Sequence, residues 1–275
     1  VRVAERPVAL TGAAGGLGSA LARELSARGA RLLLVDREAG ALAALADGLG
    51  GPARARTLAL DLTDDDAGAR LAAESREAFG RVDVLVNNAG LSDFTAFERC
   101  DPARLRATVA VNVAAPMLLA RAVLPDMLAR GEGWIVNVGS ILGSIGFPYF
   151  VTYSTTKFAM HGFSQALRRE LAPSGVRVVF VAPRAIRTPM SDVYGEMAAA
   201  VGMTRDPPAD VAPRIADALE RERAETFLGG PERLFVRVNG LLTGLVDRAL
   251  RAKTCVMERF ARPDPTSRPP GDPAP

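Results

Sequence analysis

The chain has 275 residues, 48% of them hydrophobic, which is ample for a buried core in one large domain or two small ones. Its net charge is +3, with arginines and acids interspersed and no basic block or aromatic-interleaved patch, which argues against a nucleic-acid partner. Two distant cysteines, Cys100 and Cys255, and a single histidine, His161, argue against disulfides, a metal site and a histidine-based triad, and point to a reduced cytoplasmic protein. No run approaches the length of a membrane span, and the early entry into a strand-like run predicts no signal peptide.

Residues 7–11 read as a short buried strand, followed by Gly12-Ala-Ala-Gly-Gly-Leu-Gly18 and an amphipathic helix over about 19–28. Strand, glycine turn and helix point backbone N–H groups at a diphosphate. A second strand, 31–35, ends at Asp36, eighteen residues after Gly18. A carboxylate there accepts hydrogen bonds from a ribose 2′-hydroxyl and repels a 2′-phosphate, which favours NAD over NADP. The adjacent Arg37 is able to bind a phosphate, so NADP stays open. A helix over 37–49, a strand over 56–60 ending at Asp61-Leu62, a helix over 64–79 with an acidic start, and a strand over 82–86 follow. The last runs into Asn87-Asn88-Ala89-Gly90, a turn-forming stretch. This alternation predicts an α/β fold with a doubly wound parallel sheet, its ligands at the C-terminal ends of the strands.

Residues 101–130 read as one long helix, kinked at Pro125 and carrying Asn112, a polar residue that needs a partner on an apolar helix. A fifth strand, 134–138, leads to Gly139-Ser140. A helix to about Leu171 and a sixth strand, 176–181, come next. On that helix Tyr153 and Lys157 are four residues apart and share a face. Of the 34 basic residues only Lys157 and Lys253 are lysines. An ammonium group beside a phenol favours the phenolate and brings its pKa toward neutrality. Ser140 can donate to an oxygen held between itself and Tyr153. The three together can move a proton on and off an alcohol oxygen.

Taken jointly, Thr11-Gly-x-x-x-Gly-x-Gly18, Asp61-Leu62, Asn87-Asn-Ala-Gly90, Asn112, Ser140, Tyr153-x-x-x-Lys157, and Pro183 with Thr188 resemble the short-chain dehydrogenase/reductase family, in its compact single-domain branch. The resemblance implies that Tyr153 is the general acid/base and that Lys157 lowers its pKa and holds the nicotinamide ribose. It implies that Ser140 orients the substrate oxygen and that Asn112 holds a water in a proton relay. Gly12, Gly16, Leu17, Gly18, Asp36, Arg37, Asp61, Leu62, Asn88, Ala89, Gly90, Pro183, Ile186 and Thr188 complete the implied cofactor site. Asp61 and Leu62 flank the adenine, and Ile186 and Thr188 steady the carboxamide. Family members that use NADP tend to have a basic residue where this chain has Gly15, which again favours NAD. One departure is Arg184, where the family has glycine; it is free to touch the diphosphate, an acidic substrate group or solvent.

Residues 189–206 occupy the family's lid position. With Leu142, Ile145, Phe147, Tyr149 and Phe150 they suggest an apolar, lipid-like ketone or secondary alcohol. A helix at 208–222 and a short strand near 225–228 precede an amphipathic helical extension over 231–260, expected to cover the cleft, meet a second subunit or touch a membrane surface. Residues 263–275, with six prolines, are expected to be disordered. The expectation is one Rossmann-like domain over 1–262, an NAD(P)-dependent oxidoreductase without a metal, in a homodimer or homotetramer. A non-catalytic dinucleotide-binding regulator or scaffold, and a sugar-nucleotide epimerase or dehydratase, are the rival readings.

Overall fold

The computed structural model describes residues 2–230 and 232–262; the proline-rich stretch expected to be disordered lies outside them. From the N-terminus, β1 is Pro7–Thr11, α1 Gly16–Ala27, β2 Arg31–Asp36, α2 Ala39–Asp47, β3 Ala55–Ala59 and α3 Ala67–Phe79. Next come β4 (Val84–Asn87), α4 (Pro102–Val109), α5 (Ala115–Arg130), β5 (Gly133–Val138), α6 (Val151–Glu170) and β6 (Val176–Pro183). The chain continues through α7 (Pro189–Asp192), α8 (Gly195–Ala200), α9 (Pro208–Glu220), β7 (Glu225–Leu228), α10 (Glu232–Leu241) and α11 (Thr243–Ala261).

The strands form a seven-stranded sheet in the order β3-β2-β1-β4-β5-β6-β7, with every pairing parallel. Strand order reverses between β1 and β4, which opens a crevice at their C-terminal ends. Alternate residues serve opposite faces of the sheet. Val8, Leu10, Leu32 and Leu34 meet Leu21 and Leu25 of α1 and Ile215 and Leu219 of α9. Ala9, Leu33, Val35 and Ile135 meet Leu71 of α3 and Leu119, Val123 and Met127 of α5. Each fully buried leucine contributes about 1.5–3 kcal/mol relative to exposure, so both layers are held firmly.

The expected long helix over 101–130 is interrupted ahead of Pro125, which lies inside α5. Asp101 caps α4 through bonds from the N–H groups of Ala103 and Arg104, and a π-helical turn over Ala110–Ala114 separates α4 from α5. That wider turn contains Asn112. By length and composition alone the 102–130 stretch is apolar enough to cross a membrane, so the sequence expectation of no such run was too strict. Its inner face is part of the core. The acidic run Asp64-Asp65-Asp66 precedes α3 rather than opening it. The C-terminal extension is two helices broken at Leu242, and both pack on the 141–150 loop and lid region.

Buried polar side chains tie the sheet's C-terminal edge together. Asn87 Nδ2 donates to Asn137 Oδ1 at 2.9 Å, Asn137 Nδ2 donates to Ser164 Oγ at 2.9 Å, and Ser164 donates to the Met160 carbonyl at 2.7 Å. The ladder links β4, β5 and α6. Asn137→Ala removes its middle rung and leaves buried groups on both sides without that partner, at a cost of about 1–3 kcal/mol. The expected outcome is a thermal midpoint lowered by several degrees. An unchanged midpoint by calorimetry would show that the ladder carries no net stability.

Candidate active site

A cleft of about 530 Å³ runs along the C-terminal edge of the sheet from Asp36 to Tyr153. Gly12, Gly16, Leu17, Gly18, Asp36, Arg37, Asp61, Leu62, Asn88, Ala89, Gly90, Ser140, Tyr153, Lys157, Pro183, Ile186 and Thr188 all line it. Asn112 does not reach its surface.

The floor at the first strand is built by close approach. A Cβ on Gly18 would lie 1.9 Å from the Gly12 carbonyl oxygen, so the first turn of α1 sits against the turn that precedes it only because residue 18 is glycine. Thr11 Oγ1 accepts bonds from the N–H groups of Asn88 (3.1 Å) and Ala89 (3.2 Å). Asn88 Nδ2 in return donates to the Thr11 and Gly12 carbonyls at 3.0 and 3.2 Å. Asn88 therefore clamps β4 to the glycine turn. The opening N–H groups of α1 lack intrahelical acceptors, as in any helix, and face a glycine cradle of the kind a diphosphate fills. A nicotinamide dinucleotide fits these residues.

At the second strand, Asp36 Oδ2 accepts from Ala14 N at 3.0 Å and Oδ1 from Arg37 N at 2.7 Å. Both oxygens keep a lone pair for another donor. The exposed Arg37 guanidinium turns to Asp61 at 3.8 Å. The Thr63 hydroxyl and N–H, with Arg37 nearby, hold the Asp61 carboxyl below its usual range.

At the other end, Ser140 closes β5 into a one-turn helix. Its Oγ accepts from Leu142 N at 3.1 Å, which leaves the hydroxyl proton free to donate. Lys157 is buried beneath the loop and donates from Nζ to the Val138 carbonyl at 3.2 Å. A Cβ on Gly143 would lie 2.5 Å from the Lys157 carbonyl oxygen, so the serine loop lies directly on α6. Tyr153 sits above, its ring centroid 5.5 Å from Lys157 Nζ. Asn112 Oδ1 accepts from Leu91 N at 2.7 Å, and its Nδ2 donates to the Leu91 carbonyl and Thr156 Oγ1. A Cβ on Gly90 would lie 3.3 Å from Asn112 Oδ1 and 3.7 Å from Lys157 Nζ, so the two residues meet behind Gly90.

The electrostatics differ from the sequence expectation. Burial pushes the Tyr153 phenol well above its usual value, nearby Tyr194 adds to the rise, and a hydrogen bond with Ser140 opposes it. Lys157 is not among the causes; burial pulls its own pKa down to about 8. Desolvation is the largest cause for both groups.

Arg184 also finds a defined place. Its Nε and a terminal nitrogen fork onto the two Asp206 oxygens at 2.8 and 2.6 Å, while Ile186 bridges Asp206 through the backbone. This pins the far end of the lid to β6. The substrate end is walled by Leu142, Phe150, Met190, Tyr194 and Met203. Phe150 stacks edge-on against Tyr194 at 5.0 Å and leans on Phe94 at 5.1 Å. Met257 of α11 is wholly buried in this cluster. Phe94, Tyr194, Asn137 and the Arg184–Asp206 fork were not picked out from sequence; no spacing links the members of each pair.

Between pH 8 and 10 the unfolded chain keeps the lysine proton that folded Lys157, with its pKa pulled down to about 8, has released. The folded state therefore gains stability as pH rises, by about 2 kcal/mol over that window. Above it the buried tyrosines act in the opposite direction, since their raised pKa values keep protons that the unfolded chain loses. Urea titrations of the ligand-free protein at steps from pH 7 to 10 should show the rise, and Lys157→Met should remove it. A flat wild-type profile would contradict the buried lysine's depressed pKa.

A family model described as short chain dehydrogenase matches residues 6–199. A dehydrogenase/reductase SDR family member 7B from Bos taurus is 33% identical over 262 residues, covering 90% of this chain and 80% of that protein. A galactitol 2-dehydrogenase (L-tagatose-forming) from Cereibacter sphaeroides is 43% identical over 185 residues, covering 66% of this chain and 72% of that protein. A metagenomic short-chain oxidoreductase, solved in complex with NADP, is 32% identical with a TM-score of 0.69, covering 83% of this chain and 98% of that one. The glycine cradle, the cleft and these likenesses lead to one conclusion: the chain belongs to the short-chain dehydrogenase/reductase family, as an NAD(P)-dependent oxidoreductase acting on CH–OH groups.

Proposed function

We propose that this protein interconverts a secondary alcohol and a ketone on an apolar, lipid-like substrate, prefers NAD, and uses Tyr153 as its general acid/base. The observation that carries the reading is the joint presence of Ser140, Tyr153 and Lys157 on the cleft that begins at the glycine turn and Asp36. When bound, the nicotinamide gives or takes the hydride at the substrate carbon. In reduction Tyr153 gives its phenol proton to the carbonyl oxygen; in oxidation it removes the proton from the alcohol. Its raised pKa suits the donor role. Ser140, already an acceptor from Leu142, donates its own proton to the same oxygen and orients it. Lys157 has three donors and spends one on Val138, so others remain for a ribose hydroxyl. Asn112 anchors the Leu91 backbone beside Lys157, a position from which it serves the proton relay.

The preference for NAD is supported by charge. Asp36, Glu38 and Asp61 line the adenosine end together with Arg37, which already pairs with Asp61. The apolar substrate is supported by the wall of Leu142, Phe150, Met190, Tyr194 and Met203. We further propose that residues up to 262 act as one domain, with α10 and α11 as its cap. Exposed Val109, Met117, Leu118 and Leu128 of α4 and α5, with Phe158 of α6, suit pairing with a second copy. The two free cysteines agree with a cytoplasmic location.

Tyr153→Phe should lower turnover by about 10²–10⁴-fold while NADH binding, followed by nicotinamide fluorescence, changes little. A comparable loss of cofactor binding would overturn this division of roles, and retained turnover would overturn the assignment of the proton. In the same titration the unaltered protein should bind NADH more tightly than NADPH. Asp36→Ala should narrow or reverse that ratio by about tenfold, because it removes a charge that repels a 2′-phosphate. Tighter NADPH binding by the unaltered protein would show that Arg37 outweighs the acids.

A further inference from the structure

The cap carries a feature that the oxidoreductase chemistry does not use. Val236, Val238, Val246 and Leu250 turn inward onto Ile141 and Ile145, and Asn239 Nδ2 donates to the Ser144 carbonyl at 3.0 Å. The opposite side presents Leu234, Phe235, Leu241, Leu242 and Leu245 to solvent, with Leu241 84% exposed. Five large apolar side chains within twelve residues, gathered around the break at Leu242, are far denser than the scattered apolar groups of an ordinary surface.

Charge indicates what covers this patch. Residues 232–262 hold seven of the chain's 34 basic residues and three of its 31 acidic ones, a net charge of +4 in the cap against −1 for the rest of the chain. Exposed Arg248 lies one turn beyond Leu245 on the same face of α11, and exposed Arg251 and Lys253 follow. Contact with a second copy through this patch would bring like charges together across the symmetry axis. An apolar tip flanked by cations matches an anionic lipid surface instead: the leucines enter the acyl boundary while the cations meet the headgroups.

We propose that the elbow between α10 and α11 docks the protein on an anionic lipid surface. The placement is functional, because α11 carries the elbow at its N-terminal end and buries Met257 beside Phe150 and Tyr153 nearer its C-terminal end. A protein held by the elbow presents the apolar end of its cleft close to the bilayer. Docking is independent of turnover, so it stands or falls apart from the oxidoreductase reading.

The test is co-sedimentation of the full chain with vesicles of phosphatidylcholine and phosphatidylserine in a ratio of two to one, against vesicles of phosphatidylcholine alone. Binding to the anionic vesicles is expected, with at least about tenfold less to the neutral ones. The triple variant Leu241→Ser, Leu242→Ser, Leu245→Ser should lose the binding, with its thermal midpoint and NADH affinity unchanged. Arg248→Glu with Arg251→Glu should lose it too and offers a second test that leaves the leucines in place. Absence of binding to either vesicle, equal binding to both, or binding that survives the leucine variant would overturn the proposal. So would a fall in oligomeric mass of the leucine variant by light scattering while the unaltered protein ignores vesicles, since the patch would then join copies of the chain.

Discussion

A parallel sheet ends its strands on one edge, and where neighbouring strands diverge there the backbone ladder stops while the polar groups remain buried. This chain closes that gap with short polar side chains. Thr11 and Asn88 clamp β1 to β4, Asn87 and Asn137 join β4 to β5, Asn137 and Ser164 join β5 to α6, and Asn112 fastens the Leu91 segment. Low dielectric strengthens each bond and raises the penalty for an unmade one, so the set tends to hold as a unit. The cleft follows from it. Once the turns after β1, β4 and β5 are fixed relative to α6, the glycine cradle, Gly90, Ser140 and Tyr153 have little freedom left.

Lys157 shows what that rigidity permits. A lone buried ammonium is costly, and burial pulls its pKa down to about 8. The Val138 carbonyl holds the group in place but does not neutralise it. An arginine there would stay charged at any working pH and would bring a planar fork into a site with one facing acceptor on the backbone. In a chain whose bases are otherwise nearly all arginine, the choice of lysine at 157 is a choice of a compact, tunable cation. The Tyr153 phenol, pushed up by its own burial, sits beside it, its ring centroid 5.5 Å from Nζ.

Much of this was legible in the sequence, because it is written in local patterns. Strand ends are marked by Thr11, Asp36, Asp61, Asn87 and Ser140, and in a doubly wound sheet strand ends converge on one edge. Helical spacing put Tyr153 and Lys157 on one face. What escaped has no periodic signature. The π turn at 110–114 looks like ordinary helix in sequence. The Asn137–Ser164 bond spans 27 residues and the Arg184–Asp206 fork 22, with nothing local to pair them. The expected fall in the Tyr153 pKa failed for a related reason: a four-residue spacing fixes neighbours but says nothing of how deeply both are desolvated.

The Arg184 fork ties Asp206 to the segment that follows β6. Glycine at that position would allow close backbone approach; arginine instead reaches across to Asp206 and fixes the base of the lid from outside the sheet. The lid, the 141–150 loop and the cap then pack on one another through Phe94, Phe150, Tyr194, Met197 and Met257 rather than through ladder bonds. Side-chain packing of this kind accepts changes of shape at modest cost, whereas the polar clamps beneath it do not. The strand ends are therefore held by polar clamps, and the three segments resting on them by side-chain packing.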